Sequence, residues 1–278
     1  MPAINQWLNA ATRQLTDVGI ASGRLDAELI LAHTVRKGRT YLHAHGDDQL
    51  DERQIEIADA RLALRLDRVP VAYIIGHKEF YGRSFKVTTA TLIPRAESEV
   101  MIELLKDYVP TNASLLTEPI CRLVDVGTGS GCLGITAKLE HPELDVTLLD
   151  TSRHALTIAK NNADTLRAFV NILRSDLLQN YPFTPHIILA NLPYVDLGWE
   201  LEPELDHEPK LALFTSDHGL YLIKKLIEQA TTRLAPNGVI ILEADTRQHE
   251  AIITFAKKRG YTLQQSEGFI LALRLAAA

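Results

Sequence analysis

Between residues 123 and 275 short apolar, β-branched runs alternate with stretches of helical period, and that alternation leaves few folds open. Runs at 123–126, 146–150, 170–174, 187–190 and 239–243 are interleaved with helix-like segments at 131–140, 152–166, 219–234 and 247–259. Such an order demands a mostly parallel sheet with helices on both faces. The closing YTLQQSEGFILALRL holds two further runs around Gly268 with no helix between them, so the last strand is expected to lie antiparallel to a neighbour.

The first seventy residues differ. Ile4, Trp7, Leu8, Ala11, Leu15 and Val18 recur at spacings of three and four, which draws one apolar stripe on a helix ending at Gly19. A second helix after Ser22 is expected to bury Leu25, Leu29, Ala32 and Val35 and to stop at a left-handed Gly38. A third spans about 50–66. Val69-Pro70 closes this small bundle, since the residue before proline is pushed out of helical geometry. Then KEFYGRSFKVTTATLIP changes period around Tyr81-Gly82-Arg83-Ser84 and reads as a β-hairpin. The expected organisation is a helical domain over 1–75, a hairpin joint over 76–95 and an α/β domain over 96–278, with a helix near 96–108 and a loose linker at 110–119.

Charge narrows the partners. Twenty-nine Lys and Arg against 35 Asp and Glu give a net charge of −6, and neither part of the chain is basic, which weighs against a nucleic-acid platform. Cys121 and Cys132 provide neither a disulfide framework nor zinc spacing, so a reducing cytoplasm is the economical setting. No run of about 18 apolar residues suggests a membrane span, and the N-terminal stretch lacks the order of a signal peptide.

Two motifs carry chemistry. Val124-Asp125-Val126-Gly127-Thr128-Gly129-Ser130-Gly131 sits where a buried strand meets a helix, so its backbone can pass close to a ligand and its free N–H groups face electron-rich atoms. No G-K-[ST] follows and the spacing is not the dinucleotide G-x-G-x-x-G. Asp150 ends the next strand, where a carboxylate can accept both ribose hydroxyls. A nucleoside without a pyrophosphate fits this pattern. Asp176 after the third strand can accept from an adenine amino group while Leu177 covers the ring, or Asp176 simply caps the segment that follows.

The second motif, Asn191-Leu192-Pro193-Tyr194, ends the fourth strand, and in an open parallel sheet ligands gather beyond the carboxyl ends of strands. The Asn191 side-chain oxygen and the main-chain carbonyl of Leu192 can each accept one N–H of a planar NH₂ group, with the Tyr194 ring against its face. An amide nitrogen is a poor nucleophile. Two acceptors that tighten as positive charge grows on it stabilise the transition state more than the ground state.

Together Asp125–Gly131, Asp150 and Asn191–Tyr194 resemble a class I methyltransferase that uses S-adenosylmethionine, the tetrapeptide being similar to N-P-P-Y. RLDAELILAH at 24–33, RVPVAYIIGHKEFYG at 68–82 and TLIPRAESE at 91–99 resemble, more narrowly, the protein-glutamine methyltransferases of the HemK/PrmC type, which act on the GGQ glutamine of peptide chain release factors. The likeness runs from about residue 5 to the last strand. It implies a Rossmann-like α/β domain with a seven-stranded, mostly parallel sheet, behind a helical region that docks the release factor. It further implies that Gly127, Thr128, Gly129, Ser130 and Gly131 wrap the methionine part of S-adenosylmethionine, Asp150 the ribose, and Asp176 and Leu177 the adenine side. Asn191, Leu192, Pro193 and Tyr194 would hold the substrate amide, and Glu208-Pro209 matches the family's E-P. The chain departs from the pattern at Leu192 and Ala96, each in place of a proline, and in a tail without the family's D-x-x-x-x-R.

Other clusters read blandly. His43-Ala44-His45 with Asp47 and Asp48 suits a solvated loop better than a metal site. Glu200, Glu202, Glu204, Asp206 and Glu208 form an acidic run that is either an exposed loop or a receiver for a basic partner. Cys132 reads as a small buried residue rather than a nucleophile. Two other readings remain open: an adenine amino-group methyltransferase acting on RNA or DNA, and a binding protein disabled by Leu192.

Overall fold

The computed structural model describes residues 1–109 and 120–276; the linker expected at 110–119 lies outside them. The chain divides into two compact units, one of residues 1–77 with 202–207, the other of 78–201 with 208–278.

The first unit is helical: α1 (Ile4–Asp17), α2 (Gly23–Val35), α3 (Arg39–Ala44), α4 (Glu52–Leu66) and α5 (Val71–Ile75). The apolar spacing of α1 buries Ile4, Trp7, Leu8, Ala11 and Leu15, whereas Val18, expected on the same stripe, is the C-cap and 43% exposed; the Trp7 indole N–H donates to Asp59 Oδ1 at 2.8 Å. The face assigned to α2 needs correction. Leu25 is 42% exposed, whereas Ala27, Ile30 and Leu31 are fully buried beside Asp26 and Glu28. These inward carboxylates disguise the stripe, and they are tolerated because each is paired. Arg65 Nε of α4 donates to Asp26 Oδ2 at 2.7 Å, and Arg24 and Arg39 both reach Glu28 at 2.7 Å. Nor does α2 stop at Gly38, whose φ is −71°; Arg36, with φ of 57°, makes the left-handed cap. His43 and Ala44 lie in the short helix α3 rather than a loop. Pro70 does not close α4, which already stops at Leu66 with Asp67 as its C-cap, but opens α5.

Arg65 also donates to Glu204 Oε1 at 3.0 Å, and Arg68 reaches the same oxygen at 3.3 Å. With His207 Nε2 set 3.0 Å from the Asp67 carbonyl, these contacts make 202–207 part of the helical unit.

The second unit starts at Lys78, inside the hairpin of β1 (His77–Phe80) and β2 (Arg83–Lys86), which Tyr81 and Gly82 turn at φ of 49° and 68°. A 3-10 turn at Ala96–Ser98 leads into α6 (Glu99–Leu105). There follow β3 (Arg122–Val126), α7 (Cys132–Glu140), β4 (Asp145–Asp150), α8 (Arg153–Leu166), β5 (Asn171–Arg174), β6 (Ile187–Ala190), α9 (Lys210–Leu213), α10 (Tyr221–Thr231), β7 (Val239–Glu243), α11 (His249–Lys257), β8 (Tyr261–Glu267) and β9 (Ile270–Leu275). The seven strands of the main sheet lie in the order β5-β4-β3-β6-β7-β9-β8. Pairing is parallel from β5 through β7, and β9 runs antiparallel to both β7 and β8, as the absence of a helix around Gly268 foretells. Successive side chains on a strand face opposite ways. Leu123 and Val146 therefore join the core that holds Phe80 and Phe85 of the hairpin, while Val124 and Leu149 join the core under α10 and α11. Among the described residues no helix is long and apolar enough to cross a membrane.

Asp26→Ala would leave the buried Arg65 guanidinium without its nearest carboxylate. Its expected cost is about 3–5 kcal/mol, read as a lower denaturant midpoint; an unchanged midpoint would contradict the pairing account.

Candidate active site

Strand order reverses direction between β3 and β6, and the register there sets the site. Val126 pairs with Ala190, so Gly127 and Asn191 leave adjacent strands at the same level, beyond their carboxyl ends. The two loops run close together: a Cβ added to Gly127 would stand 2.9 Å from Leu192 Cδ2 and 3.8 Å from the Asn191 carbonyl oxygen.

The glycine loop is built around Asp125. This fully buried carboxylate accepts the Thr128 hydroxyl at 2.6 Å and the Gly134 N–H at 2.9 Å, both through Oδ2. Its Oδ1 has no hydrogen-bond partner among the described residues, and burial pushes the carboxyl up to about 6. Gly131, with φ of +84°, starts α7; a Cβ there would meet Ile135 Cδ1 at 2.7 Å and Ala159 Cβ at 3.2 Å, so its absence serves packing. Gly129 is the reverse case: its φ is +55° and the nearest atom to an added Cβ is Gly127 O at 4.0 Å, which leaves open space for a ligand. The loop is moored by the Gly127 and Thr128 N–H groups on the Leu149 carbonyl, both at 2.9 Å. Asn162 of α8 ties the Ser130 carbonyl to the hairpin through Lys86.

Asp150 lies beside the loop, accepting from Gly129 N–H at 3.0 Å and Ser152 N–H at 2.8 Å on separate oxygens; burial raises its carboxyl. Asp176 follows β5 and accepts from Lys225 of α10 at 2.6 Å. Leu177 is buried and left-handed at φ of 50°. Cys132 heads α7, and burial raises its thiol, which opposes thiolate chemistry.

The tetrapeptide is held by residues that sequence reading missed. Asn191 Nδ2 donates to Ser98 Oγ at 3.1 Å, Ser98 Oγ in turn donates to Glu243 Oε2, and Tyr194 OH donates to Glu243 Oε1 at 3.0 Å. Glu243 ends β7 and is 2% exposed. Glu243 accepts from both Ser98 and Tyr194, and Ser98, whose single proton goes to Glu243, accepts from the Asn191 NH₂. That chain of donors fixes the amide's orientation and leaves Asn191 Oδ1 as the free acceptor. Burial raises Glu243 and also Tyr194, the latter aided by the Glu243 charge. The Tyr194 carbonyl accepts from Gln248 Nε2 at 2.8 Å, and Gly219 gives it room, since a Cβ there would collide with that carbonyl. An acid closing the apolar run VIILE was the one signal in the sequence that could have pointed to Glu243.

Glu208, 4% exposed, accepts from the Ile93 N–H at 3.0 Å and from Arg95, stapling the segment before Ser98. With Glu204 in the helical unit, two of the five acids in the run serve internal bonds. No group of three or more His, Cys, Asp and Glu among the described residues is placed to hold a metal.

Comparison with known proteins follows the same division. Residues 6–76 match the model of the PrmC N-terminal domain and residues 107–204 that of the methyltransferase small domain. The release factor glutamine methyltransferase of Escherichia coli is 34% identical over 88% of this chain and 87% of its own length. A bifunctional methyltransferase of Rickettsia felis is 32% identical over 94% of this chain and 55% of its own length; the chain thus spans about half of such relatives. A solved methyltransferase of Pyrococcus furiosus shares the fold with a TM-score of 0.52 at 16% identity, over 78% of this chain and 95% of that one.

Two outcomes test this geometry. The folded Asp125 carboxyl holds its proton up to about 6, against 3.8 for the ordinary group. The stability it gives is therefore full below about pH 4 and lost as pH rises through about 6, a swing of about 3 kcal/mol. Asp125→Asn, uncharged and still an acceptor, should be favoured relative to wild type by about 2–3 kcal/mol more at pH 7.5 than at pH 4; parallel pH profiles would contradict a charged, buried Asp125. Ser98→Ala frees the Asn191 amide and should lower kcat about tenfold, Ser98→Thr restoring most of it; equal kcat for alanine and threonine variants would remove the hydroxyl from the site.

Proposed function

The chain belongs to the release factor glutamine methyltransferases, and from that premise we propose that it methylates the side-chain amide nitrogen of a release factor glutamine, that of the GGQ motif, using S-adenosylmethionine. The observation that carries the reading is the Asn191 amide locked by Ser98 and Glu243, with its oxygen unclaimed, next to a glycine loop that has an open face.

The residues present fit the cofactor. An orphaned, buried Asp125 Oδ1 supplies an acceptor for a cationic amino group, Gly127, Thr128, Gly129, Ser130 and Gly131 would wrap the methionine part, Asp150 the ribose, and Asp176 with Leu177 the adenine side. When bound, S-adenosylmethionine supplies an electrophilic methyl carbon on sulfur. The chain's own part is positioning: Asn191 Oδ1 and the Leu192 carbonyl would each take one N–H of the glutamine amide, Pro193 would stiffen the segment, and the Tyr194 ring would cover the flat face. Both acceptors strengthen as the nitrogen becomes cationic, so they favour the transition state. Leucine in place of proline at 192 keeps the carbonyl and changes only what fixes its backbone. Tyr194, raised by burial, acts as a donor to Glu243 and not as a base.

This reading places the reaction in the cytoplasm, where translation ends, and makes the substrate a protein. Adenine methylation on RNA or DNA is disfavoured by the net charge of −6. The purified chain, given labelled cofactor and a release factor, should add one methyl to a single glutamine found by peptide mapping. Asn191→Ala should lower kcat by about 10²–10³, or ~2.7–4 kcal/mol of barrier, with cofactor affinity little changed. Transfer to naked nucleic acid would favour the adenine reading, and cofactor binding without any transfer the binding-protein reading.

A further inference from the structure

The helical unit carries a cavity of about 670 Å³ between α2, α4 and α5, lined by no Asp or Glu among the described residues. Its lining includes Arg36, Lys37 and Arg61, and none of the three has a carboxylate partner among the described residues. Arg39, also in the lining, is neutralised by Glu28. Arg61 is half-buried, donates to Thr34 Oγ1 at 2.8 Å, and has its affinity for a proton lowered by that burial. His33, whose ring lies 5.6 Å from that of His77, is pushed down by burial and then by Arg61, His77 and Arg36. Clustered like charges without a counter-ion oppose one another, so the arrangement is an acceptor for an anion.

The apolar part of the lining says which kind. Leu29, Ile57 and Ile75 give the cavity an aliphatic surface that inorganic phosphate would leave uncovered and that a leucine or isoleucine side chain would bury. The chain as a whole, at −6, repels an acidic partner; a local cationic pocket then fixes where such a partner docks and in what orientation. We propose that this cavity docks an acidic segment of the protein substrate, its carboxylates against Arg36, Lys37 and Arg61 and an aliphatic side chain on Leu29, Ile57 and Ile75. The proposal rests on the reading that the substrate is a protein.

A dye-labelled peptide of alternating glutamate and leucine, titrated with the full chain, should bind at low salt and weaken steeply as salt is added. Arg36→Gln with Lys37→Gln should weaken it about tenfold or more, and Lys37→Glu alone, at an exposed position, should weaken it with no risk to the fold. Equal binding by the variants, equal binding of the glutamine-leucine analogue, or displacement by inorganic phosphate would each overturn the proposal. With an intact release factor as substrate, the double variant should raise KM about tenfold while kcat holds. An unchanged KM overturns the docking pocket and leaves the glutamine chemistry standing. A wild-type chain that methylates no release factor sinks that chemistry, and the peptide titration then decides the pocket by itself.

Discussion

Val126 and Ala190 face each other across two parallel strands at the point where the strand order reverses, and the chemistry is built outward from that pairing. A shift of register by one residue would turn every side chain on the strand to the opposite face. Gly127 would then no longer meet Leu192, and the tetrapeptide would present a different residue to the loop. Burial enforces the register: Val124, Val126, Ile188 and Ala190 are at most 1% exposed and belong to one core. The sheet thus does more than support a site. It decides which two loops become neighbours.

What those loops do depends on a second set of contacts, made by polar groups in an apolar setting. A free asparagine amide has two nearly equivalent orientations, and only one presents an oxygen to an incoming N–H. Ser98 and Glu243 remove that choice. Their strength comes from burial, since an unpaired polar group in such a place costs far more than one in water. Glu243 lies at the end of β7 and Ser98 in the turn before α6, so three separate segments converge on a single amide. Asp125 plays the matching part in the glycine loop, where one carboxylate oxygen holds Thr128 and Gly134 in place and the other stays unclaimed.

Much of the fold could be read from periodicity because the strands are short, apolar and separated by helices of plain amphipathic spacing. The hairpin turn announced itself at Tyr81-Gly82, and Gly268 announced the antiparallel end of the sheet. The face of α2 could not be read the same way. Asp26 and Glu28 look like solvent residues until Arg65 and Arg39 are brought against them, and only tertiary structure does that. Arg36 takes the left-handed cap expected of Gly38, because the helix ends at Val35, short of that glycine. In the site, the glycine loop, Asp150 and the tetrapeptide were legible as local motifs with local reasons. Ser98 and Glu243 were not, since they act across 93 and 145 residues of sequence on partners that only the sheet brings near.

The central claim is that one amide is gripped by two oxygens. A crystal structure of the chain with S-adenosylhomocysteine and a glutamine-bearing peptide would test it most directly. The glutamine nitrogen should lie within hydrogen-bonding distance of both Asn191 Oδ1 and the Leu192 carbonyl, facing the sulfur. A glutamine nitrogen bound to neither, or held with Asn191 Nδ2 turned toward it, would rule the two-oxygen grip out.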